Sequence, residues 1–443
     1  MTHGKPLKQL FFFALPLMFG NIFQQLYTVV DTAIVGQGVG LNALAAIGTV
    51  DWLNWMFLSV AQGFTQGFSV RVSQKYGEQN IDGMKLVIGQ SVRLSIVIAV
   101  LGTIISQAGL PVFLSMLRVP MELRSIATQY IRIIFAGFPI VVFYNYCSAI
   151  LRAIGDSKTP LKAMIAASVT NIILDSLAIF VWNMGVEGAA IATVIAQLLA
   201  GIICIIKIWK QPILHFGKEQ IEKHRDISVN LFKLGMPVAA QNIIISLGGM
   251  TVQMVANGFG MSFIAGFTAT NKLYGLLEVA AISYGYAVTT YVGQNYGAGL
   301  LERIKKGVRS AVGLSIGTSI LIAAIMLVFG RNITMLFISS DVPELMVAAG
   351  NTAYHYLAVM STCLPILYLL HLYQAALRGM GNTVLPMISG IIEFMVRVCV
   401  SIVVGKIGFA YGLFGAEVAA WTGAMLFMLI SYLHLLKKEC KSH

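Results

Sequence analysis

Acidic residues lie inside the long apolar runs of this sequence, where an ionised side chain is costly. Asp31 ends a polar stretch in the first run, which also contains Gln25 and Tyr27, while Asn171 and Asp175 lie in the fifth run. The i,i+4 spacing of Asn171 and Asp175 puts both side chains on one face of a helix. Ionisable residues at such positions usually mark the path of an ion or a substrate. The simpler alternative is that both acids only hydrogen-bond to neighbouring helices.

Two neighbouring carboxyl groups in a low-dielectric interior can hold a proton near neutral pH, because two adjacent buried charges repel each other. Amide and hydroxyl oxygens beside them could equally complete an oxygen shell for a hard cation. The sequence therefore predicts a coupling site for H⁺ or Na⁺, with Na⁺ possible at Asp31, Asn171 and Asp175. It does not choose between the two ions, and it indicates no other cofactor.

The amino-acid composition indicates what kind of helices carry these residues. Of 443 residues, 57% are hydrophobic and 11% are charged, whereas soluble domains carry about a quarter charged residues. A helix that crosses a bilayer needs about 20 apolar residues, so this chain has room for about a dozen spans and little else. A soluble enzyme is excluded. The apolar runs predict twelve spans, at 10–35, 43–70, 87–112, 125–151, 160–183, 187–208, 231–256, 263–290, 308–330, 346–376, 385–405 and 409–436.

We attribute the net charge of +12 to basic residues in the loops on one side of the membrane. Most lysines and arginines fall on one side of the predicted spans, and the opposite side carries Arg118, Arg124, Arg331 and Lys406. Cytoplasmic loops are the basic ones, so both termini are expected in the cytoplasm of a multi-pass protein of the inner (plasma) membrane. The lipid bilayer is the expected surroundings, and nucleic acid is not an expected partner.

Internal similarity divides the chain into two halves. Three pairs of segments recur in the same order at nearly constant separation, which indicates a duplication. We therefore predict an all-α membrane protein with two pseudo-symmetric six-helix bundles around a central cavity: an N-lobe at 1–208, a cytoplasmic linker at 209–230, and a C-lobe at 231–443 with a short cytoplasmic tail. Such an architecture favours transport by alternating access. The pairs are Leu15–Pro16 with Met236–Pro237, VSQKYG (72–77) with VGQNYG (292–297), and LRAIGDSKTP (151–160) with LRGMGNTVLP (377–386).

The remaining intramembrane residues give weaker signals. Lys272 and Glu278 could line the cavity, and Pro16 is expected to bend the first helix because it removes a backbone hydrogen bond. His371 is expected to be isolated. The sequence shows no constellation of catalytic residues, so an enzyme is not predicted. The i,i+4 spacing of Glu393 and Arg397 predicts a local ion pair, while further roles of Glu393, Arg397, Glu417 and Arg132 stay open.

The combination of motifs resembles the multidrug and toxic compound extrusion (MATE) family, in particular its DinF-like branch. The resemblance covers LPLMFGNIFQQLYTVVDTAIVGQGVGLNALAAIG (15–48), the two LRxxG loops, and NIILDSLAIF (171–180) followed by GVEGAAIATVIAQ (185–197). It implies an antiporter that expels lipophilic, often cationic, amphipathic compounds while H⁺ or Na⁺ enters.

The resemblance also implies roles for single residues. Pro16 matches the bending proline and Tyr27 the tyrosine one turn before the helix 1 acid. Family members with a C-lobe cation site carry acids on helices 7 and 10, but 239–246 and 367–379 contain none here, although Glu278 or Glu393 could substitute. The implied N-lobe cation site consists of Asp31, Asn145, Asn171, Asp175 and Thr193.

The main rival function is a flippase of a lipid-linked substrate from the same superfamily. Such proteins usually have more spans and a more cationic cavity, and few bases lie inside the spans here. A monomer is the expected state.

Overall fold

The computed structural model describes residues 1–117, 119–222, 224–335 and 343–442. Arg118 and Lys223, two of the basic residues used to orient the chain, lie outside the described residues. The described part of the chain is helical and contains no β-strand. Short 3₁₀ turns lie at Pro212–Leu214, Asn257–Phe259 and Ala410–Leu413, and a π-helical turn lies at Leu177–Val181. The helices are α1 (Pro6–Gly38), α2 (Leu41–Gly77), α3 (Ile81–Met116), α4 (Met121–Ala136), α5 (Phe138–Ala153), α6 (Lys158–Ser176), α7 (Gly185–Trp209), α8 (Lys218–Ile221), α9 (Arg225–Ala256), α10 (Met261–Gly297), α11 (Leu301–Met335), α12 (Pro343–Thr362), α13 (Leu364–Gly379), α14 (Val384–Ile407) and α15 (Phe414–Ser442).

Within the described ranges, nine helices are long and apolar enough to cross a membrane, and two bent pairs raise that number to eleven. The predicted span 263–290 is not among these eleven, and it corresponds to α10, which has 37 residues but carries Asn271, Lys272 and Glu278 near its middle. The prediction of an all-α membrane protein is confirmed.

Two predicted spans are each divided into two helices. The pair α4–α5 bends by 45° and the pair α12–α13 by 49°. In both pairs the second helix carries a proline in its first turn, Pro139 in α5 and Pro365 in α13. Proline lacks the backbone N–H that would continue the hydrogen bonding of the preceding helix. The sequence prediction treated each pair as one continuous helix.

The two halves repeat each other in local structure. Helices α2 and α10 both have 37 residues, and they begin after Gly40 (φ 109°) and Gly260 (φ 90°). Helices α5 and α13 both have 16 residues, and the following loops turn at Gly155 (φ 101°) and Gly381 (φ 89°). Positive φ is readily adopted only by glycine. The duplication inferred from the sequence therefore extends to helix lengths and turn geometry.

Contacts divide the chain into two compact units, residues 15–242 and residues 1–14 with 243–443. The boundaries differ from the predicted ones at 208 and 231, because both α1 and α9 contribute to two units. In the first unit, α9 lies so close to α2 that a Cβ on Gly67 would be 2.5 Å from the backbone nitrogen of Gly235. In the other unit, Arg303 on α11 donates to Gln9 Oε1 near the start of α1 (2.9 Å).

The predicted linker, 209–230, is held against α3 by one buried side chain. Gln90 Nε2 donates to the backbone oxygens of Gln220 (2.7 Å) and Glu222 (2.6 Å). Gln90 Oε1 accepts from the Ser228 hydroxyl (2.9 Å). Because the amide is satisfied at both ends, it holds this stretch in a defined path within the unit 15–242.

Candidate functional site

Asp31 on α1 and Asp175 on α6 come together inside the unit 15–242. Their carboxyl groups lie close enough to interact with each other, and Asp175 is 0% exposed. The end of α1 packs against the π-helical turn that follows α6, since a Cβ on Gly38 would overlap Ile179 and lie 2.8 Å from the Phe180 ring. The absence of a side chain at Gly38 allows this close approach, which keeps the two acid-bearing segments together.

The two carboxyl groups have fewer hydrogen-bond donors than buried oxygens require. In the described part of the chain, both Asp175 oxygens, Asp31 Oδ1 and Asn171 Oδ1 are buried and have no hydrogen-bond partner. Buried polar atoms are almost always paired, and buried charges are either paired or bind cations. A proton shared by the carboxyl groups, or a cation held by these oxygens, would supply the missing partner.

The π-helical turn Leu177–Val181 begins two residues after Asp175. Such turns widen the helix locally and often occur at functional sites. The sequence prediction had one continuous helix over 160–183 and contained no sign of this feature. A proline or glycine would have suggested an irregularity, but none occurs between Asn171 and Val181.

Asn171 connects α6 to α7. Its Nδ2 donates to Thr193 Oγ1 (3.5 Å), and the Thr193 hydroxyl in turn donates to the Ala189 backbone oxygen (3.0 Å). The helices approach closely here, because a Cβ on Gly188 would lie 2.8 Å from Ala178 Cβ. The amide nitrogen of Asn171 is thus engaged with α7, and the oxygen that remains is one of the unpartnered acceptors.

Two tyrosines lie near the acid pair. The Tyr27 hydroxyl is within electrostatic range of both Asp31 and Asp175. Tyr130 on α4 is 8% exposed and lies within electrostatic range of the same acids and of Asp51. Sequence analysis singled out Tyr27 but missed Tyr130, because its partners lie on other helices and the spacing along α4 gives no indication of them.

Other predicted residues are not tied to the acid pair by a described contact. Asn145 on α5 donates to the backbone oxygen of Val141 in its own helix (2.8 Å). Gln25 is half-buried on α1. Pro16 lies within α1, which continues through it as a helix, and it stands next to the boundary between the two units.

The second half contains its own polar cluster. His371 Nε2 on α13 lies 3.1 Å from Glu278 Oε1 on α10, and the Tyr274 hydroxyl donates to that oxygen (3.2 Å). The expectation that His371 is isolated is therefore wrong, because α10 and α13 bring together residues that are far apart in the chain. Lys272 is exposed and makes no ion pair among the described residues. That Lys272 and Glu278 line a cavity stays a prediction.

Arg397 on α14 makes two ion pairs. It lies 3.4 Å from Glu393 Oε2 and 2.8 Å from Glu417 Oε2 on α15. The local pair predicted from the i,i+4 spacing is confirmed, and the structure extends it to a neighbouring helix. Arg132, whose role was left open, has an exposed side chain on α4.

The profile of the MatE family matches residues 16–177 and 237–403. The chain is 31% identical over 399 residues to the probable multidrug resistance protein YpnP of Bacillus subtilis, covering 89% of this chain and 87% of the relative. It is 27% identical over 428 residues to the probable multidrug resistance protein NorM of Thermotoga maritima, covering 94% and 88%. A structure described as the outward-facing conformation of a multidrug resistance MATE family transporter superposes with a TM-score of 0.91 at 23% identity, over 99% of this chain and 97% of that chain.

The fold and these matches define a multi-pass membrane transporter. The chain belongs to the MATE family, since the family profile and a relative above 30% identity both span most of its length. The family inferred from the motifs is confirmed.

Proposed function

We propose that this chain is a secondary active antiporter that exports lipophilic or cationic organic compounds in exchange for H⁺ or Na⁺. The observation that carries the proposal is the meeting of Asp31 and Asp175, with buried oxygens that lack donors among the described residues. The names of the relatives, which are multidrug resistance proteins, support the class of substrate. The protein would lie in the plasma membrane as a monomer, with both termini in the cytoplasm.

The acid pair would bind the ion because it carries two negative charges with no described donor on either oxygen of Asp175. A proton would bridge the two carboxyl groups or neutralise one of them. Na⁺ would instead use the carboxylate oxygens together with Asn171 Oδ1, all of them the hard oxygen ligands that such a cation prefers. The donor set fits either ion, and both remain in the proposal.

Coupling requires only that ion and substrate favour different states of the transporter. Ion binding removes the repulsion between Asp31 and Asp175 and draws α1 towards α6. Pro16 interrupts the hydrogen bonding of α1, so the part of the helix that carries Tyr27 and Asp31 can adjust. The start of the helix, residues 1–14, belongs to the same unit as 243–443 and keeps its contacts there. The compound would be released from the state that the ion favours, and alternating access would follow.

The test is efflux of fluorescent lipophilic cations, ethidium among them, from proteoliposomes under an imposed pH gradient and then under an imposed Na⁺ gradient. We expect one gradient to drive efflux and the other to have no effect. Asp31→Asn and Asp175→Asn should each lower the gradient-driven rate at least about tenfold. A neutral amide has no negative charge with which to bind the coupling ion.

Asp82→Asn is the matched control, since Asp82 is an exposed aspartate in the first turn of α3. Its efflux should equal that of the unaltered protein. Undiminished gradient-driven efflux in both Asp31→Asn and Asp175→Asn would contradict the proposed coupling site. Equal efflux with and without either gradient would contradict antiport itself.

A further inference from the structure

The two halves differ at the start of the helix that follows the repeated VxQxYG segment. This helix is α3 in the first half and α11 in the second, and the two begin 220 positions apart. Leu86 of α3 therefore corresponds to Lys306 of α11. In the same way, Gly89 corresponds to Arg309. The second half places two basic side chains where the first half has none.

In the first half, this face of the helix is covered by the chain itself. A Cβ on Gly89 would lie 2.4 Å from the backbone oxygen of Gln220 in the predicted linker. Gln90, which is 0% exposed, donates to the same oxygen (2.7 Å). In the second half, Lys306 and Arg309 are exposed. The equivalent face of α11 thus presents positive charge instead of packing against a described segment.

The end of α15 adds further basic side chains to this face. Helices α11 and α15 both pack against α13, and the Tyr432 ring of α15 lies 5.6 Å from the Tyr373 ring of α13. Lys305 of α11 lies close enough to Cys440 of α15 to interact with it. The start of α11 and the end of α15 therefore lie side by side. We call their basic residues the basic surface: Lys305, Lys306, Arg309, Lys437, Lys438 and Lys441.

The charges of the basic surface are not balanced by the acids of the same segments. Six bases stand with two acids, Glu302 and Glu439. Glu302 forms an ion pair with Lys305. Lys437 and Lys441 are exposed and have the i,i+4 spacing on α15, at which like charges repel each other. Anionic groups from outside the protein would relieve this repulsion.

The position of the basic surface along its helices indicates which anions can reach it. Helix α11 has 35 residues and is therefore about 52 Å long at about 1.5 Å per residue. The hydrocarbon core of a bilayer is about 30 Å thick, so α11 extends beyond the core. Its first turns can therefore lie at the level of the lipid headgroups.

Helix α15 favours a lipid over an acidic protein as the source of these anions. Ile430 is 66% exposed and Leu433 is 55% exposed. Their spacing to Lys437 and Lys441 puts all four side chains on one face of the helix. An exposed apolar stripe that continues into lysines suits acyl chains below and headgroups above, because a lysine at the end of a span extends its charge to the interface.

We propose that the basic surface binds the headgroups of anionic phospholipids. The phosphate oxygens accept hydrogen bonds from Lys306, Arg309 and Lys437, which are charge-assisted and therefore strong. The acyl chains of the same lipid lie along Ile430 and Leu433. The first half lacks such a site on α3, because its own linker occupies the equivalent face.

Lipid retention by the full-length protein tests the proposal. Native mass spectrometry would follow the purified protein in detergent, titrated with phosphatidylglycerol or with phosphatidylcholine of the same acyl chains. We expect the unaltered protein to bind phosphatidylglycerol at least about tenfold more tightly. A base beside anionic lipid contributes about fivefold to binding. Arg309→Gln and Lys437→Gln should therefore each lower the affinity for phosphatidylglycerol about fivefold, and the double variant should remove most of the preference.

The matched control carries the same loss of charge in the first half. Lys207→Gln with Lys210→Gln replaces two exposed lysines at the end of α7, and it should keep the preference for phosphatidylglycerol. Equal affinity for the two lipids in the unaltered protein would overturn the proposal. Equal losses in the two double variants would overturn it as well, since they would show a general effect of net charge.

Glycerol phosphate separates a lipid site from a site for free phosphate. This soluble compound carries the phosphate without acyl chains, so at the concentration of the lipid it should not displace phosphatidylglycerol. Displacement would contradict the assignment to a lipid. None of these measurements uses an ion gradient or an exported compound, so failure of the lipid site and failure of the proposed antiport are distinguished.

Discussion

Duplicated helices hold two different kinds of polar site in this transporter. In the first half, α6 carries Asn171 and Asp175, and Asp175 meets Asp31 with no cationic side chain described beside the pair. At the matching positions of the LRxxG-aligned repeat, α14 carries Arg397 and Ser401, and Arg397 pairs with Glu393 and Glu417. The repeat has kept the helices and turns, while the side chains inside them have changed their chemistry.

The difference shows how a buried carboxylate can serve two purposes. A carboxylate that has a guanidinium partner within the protein is stabilised without any ligand, and removing the partner leaves a buried charge. A carboxyl pair without such a partner needs a proton or a cation from outside. The first arrangement suits a fixed structural network. The second suits a site that binds and releases a proton or a cation.

The largest expected effect comes from removing the guanidinium in the second half. Arg397→Met would leave the buried Glu393 and the half-buried Glu417 without their shared cation, and it should lower the free energy of unfolding by about 3–5 kcal/mol. Thermal unfolding of the detergent-purified protein measures the loss. Asp175→Asn is the counterpart in the first half, and it should not lower the unfolding temperature, because it removes one of two adjacent negative charges.

The triple variant Glu393→Gln, Arg397→Met and Glu417→Gln serves as the control for this prediction. It removes the ion pairs together, so it should be clearly more stable than Arg397→Met alone. If the single and triple variants unfold at the same temperature, the contribution of Arg397 is packing rather than charge compensation.

The next effect concerns the close approach of α1 to the π-helical turn. Gly38→Val would force α1 away from Ile179 and Phe180, at a cost of about 1–3 kcal/mol, and would separate Asp31 from Asp175. Gradient-driven efflux should therefore fall several-fold. Gly258→Val is the matched control, because Gly258 precedes the capping glycine of α10 as Gly38 precedes that of α2, and a Cβ there meets no atom within 4 Å.

The two glycine variants test directly whether the contact at Gly38 matters for efflux. Equal losses of efflux in Gly38→Val and Gly258→Val would show that the contact at Gly38 has no special part in holding the acid pair.

The smallest expected effect is that of a single hydroxyl. Tyr130→Phe removes a polar group within electrostatic range of Asp31 and Asp175 while keeping the ring that packs in the core. A hydrogen-bonding group near a charged site contributes about 1 kcal/mol, so the ion concentration for half-maximal efflux should shift about five-fold with little change in stability. Tyr284→Phe, in the other unit, provides the control and should leave that concentration unchanged.

Much of this molecule could be predicted from its sequence by local rules. The apolar runs gave the spans, because a bilayer demands about 20 apolar residues per helix. The repeated VxQxYG and LRxxG segments revealed the duplication, and the i,i+4 spacing revealed the Glu393–Arg397 pair. Asp31 and Asp175 were found because charge is rare inside spans.

Only the tertiary structure decided which of these residues meet. The proximity of Asp31 to Asp175, of Tyr130 to both, and of His371 to Glu278 joins helices far apart in sequence. The close contact at Gly38 and the π-helical turn after Asp175 depend likewise on packing between helices. Hydropathy and periodicity describe one helix at a time, whereas a binding site depends on which faces pack together, and that is settled by the steric fit of the whole unit.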